Sequence, residues 1–232
     1  MIPSLQVIVV IFAAICIDLL VSFLKVQHII VDYSHCSDLA SDSYTSIPLK
    51  YLDVALKETG QKKAKEDTEA KWKYDSSTNK CTIKFDVKHD MKNDLYMYYK
   101  LTNFYQNHRK YVESYDLKQL QGHAVDVSNL NDFCKPLKEK DGKPIYPCGL
   151  IANSLFNDTI SLELSNTDTN GYNYQFSGKD ISWKSDRKIY KKTKYSPEGI
   201  VPPPNWAEKY PKGYTEDNLF DISEYEDLLV WI

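Results

Sequence analysis

Residues 5–26 read LQVIVVIFAAICIDLLVSFLKV, an apolar run with a single acidic residue. As an α-helix, a run of this length crosses the roughly 30 Å hydrocarbon core of a bilayer. A cleaved signal peptide has a basic stretch before a shorter apolar core, whereas the first basic residue here is Lys25. A buried core helix is a poor match for a bare N-terminus. The run therefore predicts a transmembrane helix over residues 5–26.

Two charged residues of this run bear on how it sits in a membrane. Asp18 lies within the span, where a carboxylate costs about 2.5–3.5 kcal/mol on insertion scales. The surrounding isoleucine, valine, leucine and phenylalanine side chains can offset this cost, as can a partner helix that Asp18 faces. Lys25 follows the span, and the positive-inside rule by itself would place residues 27–232 in the cytosol. The cysteines and the glycosylation motif described next outweigh a single lysine. We expect residues 27–232 to form a lumenal or extracellular ectodomain.

The cysteines favour disulfides over a metal site. Cys16 lies within the apolar run and is expected to be a free, buried thiol. The other four are Cys36, Cys81, Cys134 and Cys148, and without a C-x-x-C pair they do not predict a zinc site. Four cysteines in an oxidising compartment permit three pairings. The alternative is four reduced thiols in a cytosolic protein.

The tripeptide Asn-Asp-Thr at 157–159 is the N-x-S/T motif of the chain. Such a motif by itself is weak, because it often occurs by chance. Its position near Cys148, on the same side of the apolar run, strengthens the interpretation, and we predict N-glycosylation at Asn157. A short helix over 149–156 would leave Asn157 at an exposed turn before a strand over 159–164.

Alternating apolar and polar residues predict several strands after the membrane helix. Residues 72–87 favour a hairpin, with turn-forming residues at 75–79. Residues 160–164 and 172–176 alternate in the same way. The charged run at 57–71 is interpreted as a solvated loop or a short exposed helix. These patterns predict a mainly β ectodomain with short helical insertions.

The stretch YYKLTNFYQNHRKYVESYDLKQLQG at 98–122 is unusual in its mixture of aromatic and polar residues. Residues 95–100 alternate like a strand. A helix over 115–120 is predicted, with Ser114 as its cap and Gly122 at its end. Buried polar groups need partners, so the polar residues in between predict a hydrogen-bonded corner of structural importance. They are Asn103, Gln106, Asn107, His108 and Arg109.

Several classes of chemistry have no support in the sequence. The net charge is −3 with both signs spread along the chain, so no basic field predicts nucleic-acid binding. Phosphate-binding loops, H-E-x-x-H and G-x-S-x-G are missing, and the five histidines lack metal spacing. No catalytic, cofactor-binding or metal-ligating residue is predicted. The basic segment at 184–194 is either a solvated edge or a contact surface.

The chain resembles one known family through six stretches that occur in the family's order. The family is that of ligand-effect modulator 3 and cell division control protein 50, the accessory (beta) subunits of type-IV P-type ATPase phospholipid flippases. The stretches are HIIVDYSHC at 28–36, the 98–122 stretch given above, YPCGLIANSLFNDT at 146–159, DISWKSDRKIYKKTKY at 180–195, PPPNWAEKYPKGY at 202–214 and ISEYEDLLVW at 222–231.

The resemblance implies a fold and a function. The fold is an antiparallel β-sandwich-like ectodomain, with disulfides Cys36–Cys81 and Cys134–Cys148. The function is that of a non-catalytic subunit that binds a type-IV P-type ATPase and supports its exit from the endoplasmic reticulum and its phospholipid transport. Its expected location is the endoplasmic reticulum, Golgi, endosome or plasma membrane. Family members have a cytoplasmic tail before the first membrane helix, and after the ectodomain they continue into a further strand and a second membrane helix. We therefore expect this chain to be truncated at both ends.

Two alternatives from other classes stay open at this point. One is a type II membrane enzyme acting on glycans, with tryptophan and tyrosine as sugar platforms. The other is a lectin-like adhesion module that serves no transporter.

The glycosylation motif gives a direct test of the orientation. An amidase that removes N-glycans should change the gel mobility of the protein by one step, and Asn157→Gln should abolish that step because no acceptor remains. Asn129→Gln, at an asparagine outside any N-x-S/T motif, is the control. A protein whose mobility the amidase leaves unchanged would contradict the lumenal orientation.

Overall fold

The computed structural model describes residues 2–56, 61–88, 94–166 and 171–232, with side chains for all of these except 2–4 and 61–63. It divides into two compact units, Met1–Tyr96 and Met97–Ile232. The helices are α1 (Ile2–Leu24), α2 (Cys36–Leu39), α3 (Gln61–Asp67), α4 (Arg109–Val112), α5 (Leu117–Leu120), α6 (Leu150–Asn153), α7 (Lys184–Ile189) and α8 (Glu226–Trp231). The strands are β1 (His28–Val31), β2 (Thr45–Ser46), β3 (Leu52–Ala55), β4 (Lys71–Asp75), β5 (Lys80–Lys84), β6 (Glu139–Lys140), β7 (Lys143–Pro144), β8 (Glu163–Leu164) and β9 (Tyr174–Gln175). Short 3-10 helices cover Leu49–Tyr51, Val127–Asn129, Asp132–Cys134, Pro197–Gly199 and Pro204–Trp206.

Helix α1 contains the apolar run. Its segment Leu5–Leu24 is, among the described residues, the one helix long and apolar enough to cross a bilayer. The backbone N–H groups of Lys25 and Val26 donate to the carbonyls of Ser22 and Phe23, which ends the helix just inside the predicted boundary.

The first unit contains two small antiparallel sheets. β1 pairs with β3 in a register that sets His28 opposite Ala55. β4 is the central strand of the other sheet, between β2 and β5. Trp72 of β4 is fully buried and packs with Ile47 and Leu52. Trp72 thus anchors the core of this unit.

The hairpin predicted over 72–87 is confirmed by the pairing of β4 with β5. Its turn is organised by Asp75, whose Oδ1 accepts hydrogen bonds from the backbone N–H and hydroxyl of Ser77 at 2.9 and 2.6 Å. The Thr78 hydroxyl donates to Asp75 Oδ2 at 2.8 Å, and Asn79 closes the turn at φ +51°. Asparagine is one of the few residues that tolerates this left-handed conformation.

The second unit is built around aromatic residues from its C-terminal third. Trp206 and Trp231 donate their indole N–H groups to the carbonyls of Ala152 and Ile151 at 2.9 and 3.0 Å. The buried core residues are Leu120, Tyr146, Ile151, Ala152, Leu155, Ile200, Trp206, Tyr210, Tyr214, Phe220, Ile222, Leu228, Leu229 and Trp231. Helix α6 is therefore fixed to distant parts of the chain by both packing and hydrogen bonds.

One prediction about strands is corrected. Residues 95–100, predicted as a strand, have no strand structure: Tyr96 and Tyr98 are exposed, whereas Tyr99 stacks on Phe156 at 4.1 Å between ring centroids. Strand β3, which the sequence patterns do not predict, lies just before the charged run and pairs with β1. Residues 57–60 and 89–93 lie outside the described part. The sheets that are described hold two or three strands each, so the sandwich stays a prediction.

Candidate functional site

The four cysteines after the membrane helix are joined in pairs. Cys36, at the start of α2, is bonded to Cys81 of β5, and Cys134 is bonded to Cys148 just before α6. They close loops of 45 and 14 residues, which in the chain-entropy description contribute about 4 and 3 kcal/mol. Cys16 is free and exposed on α1. The structure thus brings together the same pairs that the resemblance implies.

A buried amide, Gln119 of α5, lies against the loop closed by Cys134 and Cys148. Its side-chain Nε2 donates to the carbonyl of Ile145 and to the hydroxyl of Tyr195, both at 3.1 Å. Its Oε1 accepts from the backbone N–H of Cys148 at 3.0 Å. The side chain is fully buried, and both its amide nitrogen and its amide oxygen find hydrogen-bond partners inside the protein, as buried polar groups require.

Two further buried polar residues extend this arrangement. Asp116 caps α5 by accepting from the Gln119 N–H at 2.9 Å, and its second oxygen accepts from the Asn131 N–H at 2.9 Å. Ser114 donates to the carbonyl of Phe133 and accepts from the N–H of Leu150, each at 2.9 Å. We call Ser114, Asp116 and Gln119 the polar clamp, because they hold both ends of the 134–148 loop.

The predicted ends of α5 are half right. The cap is Asp116 and not Ser114, because α5 begins at Leu117. Gly122 follows the helix at φ +87°, as predicted for a terminating glycine. A second glycine serves the clamp directly: Gly149 has φ +99°, and a Cβ there would collide with the backbone carbonyl of Ser114. Only glycine allows this close approach.

The polar corner predicted between the strand and the helix is wrong. Residues 103–109 are all exposed, and the Arg109 side chain is 86% exposed and pairs with Glu113 at 3.3 Å. These groups can be hydrated, so they do not need internal partners. The buried amide is Gln119, ten residues further on. In the sequence, Asp116 lies three residues before Gln119, a spacing typical of a residue that caps the start of a helix.

A second carboxylate organises the region of the basic segment. Glu226, at the start of α8, accepts the backbone N–H groups of Asp180 and Ser182, both at 3.0 Å, and the Ser182 hydroxyl at 2.9 Å. Arg187 of α7 contacts Glu226 at 3.4 Å and Asp180 at 2.6 Å. Hydrogen bonds from the N–H groups of Ser182 and Asp180, with those of the Ser182 hydroxyl and the charge of Arg187, lower the pKa of Glu226 to about 2.

This carboxylate fixes the backbone that leads into an exposed tryptophan. Trp183 lies between Ser182 and α7, and 80% of it is exposed. The lysines that follow are also exposed: Lys184, Lys188, Lys191, Lys192 and Lys194. The segment predicted as a solvated edge or a contact surface is thus an exposed basic surface that begins at Trp183.

The glycosylation motif lies at the surface. Asn157 is exposed, four residues after the end of α6, which is shorter than the helix predicted over 149–156. The strand predicted over 159–164 is reduced to β8, paired with β9. Among the residues that the structure describes, no group of histidine, cysteine and carboxylate side chains is arranged to hold a metal ion.

A sequence model of the LEM3 (ligand-effect modulator 3) family / CDC50 family matches residues 19–232. The chain belongs to this family. The matched range includes both disulfides, the polar clamp and Glu226, so these features lie in the part of the chain that the family model covers.

Two yeast relatives of this CDC50-family chain are named as accessory subunits of phospholipid-transporting ATPases. It is 39% identical to the phospholipid-transporting ATPase accessory subunit CRF1 of Saccharomyces cerevisiae, over 99% of this chain and 58% of the relative. It is 37% identical to the accessory subunit LEM3 of the same yeast, again over 99% and 58%. It is 35% identical to cell cycle control protein 50A of Mus musculus, over 66% of this chain and 44% of the relative. The chain thus spans little more than half the length of these yeast relatives.

The hydrogen bonds of the polar clamp let us predict which polar side chains contribute to the free energy of unfolding. Gln119→Ala should lower the free energy of unfolding by about 1–3 kcal/mol for each buried group left without a partner, since Ile145 and Cys148 lose theirs. Arg109→Ala and Gln121→Ala, both at exposed side chains, should change it by less than about 0.5 kcal/mol. Denaturant unfolding followed by tryptophan fluorescence measures all three. Equal losses for Arg109→Ala and Gln119→Ala would restore the polar-corner interpretation.

The lowered pKa of Glu226 leads us to expect that the stability of the folded protein falls as the pH falls. Its folded pKa of about 2 lies below the ordinary value of about 4.3, so the ionised form stabilises the folded state above pH 4.3 and this contribution is lost as the pH falls towards 2. The stability difference between the wild type and Glu226→Gln should therefore shrink over that interval. Amide hydrogen exchange at Ser182 reports it locally. Glu216→Gln, at an exposed carboxylate, is the control, and a difference independent of pH would contradict the assignment.

Proposed function

We propose that this chain is part of a non-catalytic accessory subunit of a phospholipid-transporting P-type ATPase. Family membership across residues 19–232 carries the proposal, together with the printed names of the yeast relatives. The ATPase supplies the catalysis and moves the lipid. The accessory subunit binds it, supports its exit from the endoplasmic reticulum and travels with it to the Golgi, endosome or plasma membrane.

The proposed topology has α1 in the bilayer and residues 27–232 on the lumenal or extracellular side. The apolar character of α1 supports the first part. Two closed disulfides and an exposed asparagine at 157 support the second, because disulfides form in that compartment and the glycosylation enzyme needs access to its motif. The sandwich-like arrangement of this ectodomain is part of the same proposal.

We further propose the surface around Trp183 as a contact with the ATPase. Tryptophan is enriched among the residues that dominate binding energy, and one whose neighbours are already fixed loses little freedom on binding. Glu226 and Arg187 hold the backbone beside Trp183 in this way. Within the same unit, the Cys134–Cys148 disulfide and the polar clamp fix the 134–148 loop.

Co-purification tests both proposals. The whole protein that carries residues 1–232, purified in detergent from its own cells, should bring down a P-type ATPase in equal amount. Trp183→Ala should reduce the recovered ATPase by tenfold or more, by the magnitude typical of a binding hot spot. Tyr172→Ala removes an aromatic side chain that is 95% exposed and lies outside the segment that Glu226 holds, and it should have no effect.

The outcomes separate the two proposals. Recovery of a glycan-processing activity or of glycan ligands without an ATPase would contradict the accessory-subunit function. Equal recovery with Trp183→Ala and the wild type would contradict the contact surface alone. Mass spectrometry without reduction, on the same preparation, should find both disulfides intact; free thiols at all four positions would contradict the topology.

A further inference from the structure

The ammonium group of Lys209 lies among four aromatic rings. Its Nζ is 4.2 Å from the ring centroid of Tyr225. It is 5.7, 5.8 and 5.9 Å from the centroids of Tyr210, Phe220 and Trp206. All four distances are within the range of a cation–π interaction. We call the four rings the aromatic box.

The aromatic box is held in place by contacts that do not involve Lys209. The Trp206 indole N–H donates to the carbonyl of Ala152, and only 5% of Trp206 is exposed. Phe220 lies edge-on against both Trp206 and Tyr225, at 4.9 and 5.2 Å between centroids. The rings therefore keep their arrangement when the lysine side chain leaves.

The lysine is held by the rings and not by a counter-ion. Lys209 is exposed, and its side chain folds back over the aromatic box. Within the part of the chain that the structure describes, the ion pairs found do not include Lys209. Aromatic rings without a carboxylate paired to the cation favour a weakly hydrated cation over a primary ammonium, which gives up strong hydration to enter the site.

The spacing of the rings also fits a larger cation. The centroids of Tyr210, Phe220 and Trp206 are farther from Nζ than that of Tyr225 by 1.5–1.7 Å. An N-methyl group extends about 1.5 Å from its nitrogen, the length of a C–N single bond. Methyl groups directed at these three rings would therefore lie at roughly the distance at which the ammonium already contacts Tyr225.

We propose that the aromatic box is a binding site for the quaternary ammonium of a choline-type headgroup, and that Lys209 occupies it until such a group displaces it. The butylammonium side chain that leaves is similar in bulk to the trimethylammonium group that enters. The site goes beyond the proposed function, since binding here requires no ATPase. The same chemistry is offered by soluble choline and by a choline lipid.

Binding is measured on the full chain in a maltoside detergent, which carries no ammonium group of its own. Choline chloride is titrated and detected by saturation-transfer NMR of its methyl resonance, with ethanolamine hydrochloride as the probe of a primary ammonium. Wild-type protein should bind choline at least several-fold more tightly than ethanolamine. Lys209→Ala should strengthen choline binding by about tenfold, because the competing internal cation is removed.

Two variants test the rings and the specificity of the lysine. Tyr225→Leu, introduced together with Lys209→Ala, keeps an apolar side chain and removes the ring, so choline binding should fall by about tenfold relative to Lys209→Ala alone. Lys212→Ala, at an exposed lysine three residues away, should bind choline like the wild type. Unfolding midpoints confirm that the variants are folded, and Tyr225→Phe, which keeps the π face, should retain binding.

Phosphatidylcholine and phosphatidylethanolamine, each dissolved in the same maltoside and added as competitors of choline, identify the source of the ligand. Competition by phosphatidylcholine alone assigns the site to a lipid headgroup, and no competition by either assigns it to soluble choline. The proposal is overturned if choline binds no more tightly than ethanolamine. It is equally overturned if Lys209→Ala leaves choline binding unchanged, or if Tyr225→Leu does not weaken it. None of these readouts depends on recovery of an ATPase.

Discussion

The second unit depends on hydrogen bonds from a few buried side chains to the backbone of distant segments. Gln119 is the clearest case, because one amide contacts Ile145, Cys148 and Tyr195, which lie 26, 29 and 76 residues away in sequence. With little regular sheet in this unit to pair backbone groups, such side chains take over that role. The disulfide at Cys134 and Cys148 limits how far this loop can open, and the polar clamp fixes where it lies.

The same principle recurs at the other end of the unit. Glu226 accepts backbone N–H groups from the 180–182 segment, much as Asp116 accepts those of Gln119 and Asn131. A carboxylate that accepts two backbone N–H groups fixes a turn without secondary structure. Loops that would otherwise be mobile then carry exposed residues in defined positions, which is what a binding surface requires.

Local features of the fold were predictable and distant ones were not. The hairpin was predicted correctly because Asp75 and its neighbours form the turn by themselves. The burial of Gln119 was not, since Asp116 three residues earlier indicates only a helix cap, and the groups that the Gln119 side chain contacts lie 26 or more residues away. The alternation at 95–100 was misleading, because aromatic side chains can alternate while packing on Phe156 instead of forming a sheet. The cysteine positions were evident from the sequence, whereas their pairing came from the resemblance.

The short connection between α1 and β1 has a mechanical consequence. Three residues separate Leu24 from His28, so the first strand begins at most about 14 Å from the end of the helix. With α1 in the bilayer, the two-stranded sheet of β1 and β3 is tethered close to the headgroups. A change in the tilt of the helix then moves this sheet as well, because a three-residue connection is too short to absorb it. The sheet in turn limits the tilts that the helix can adopt.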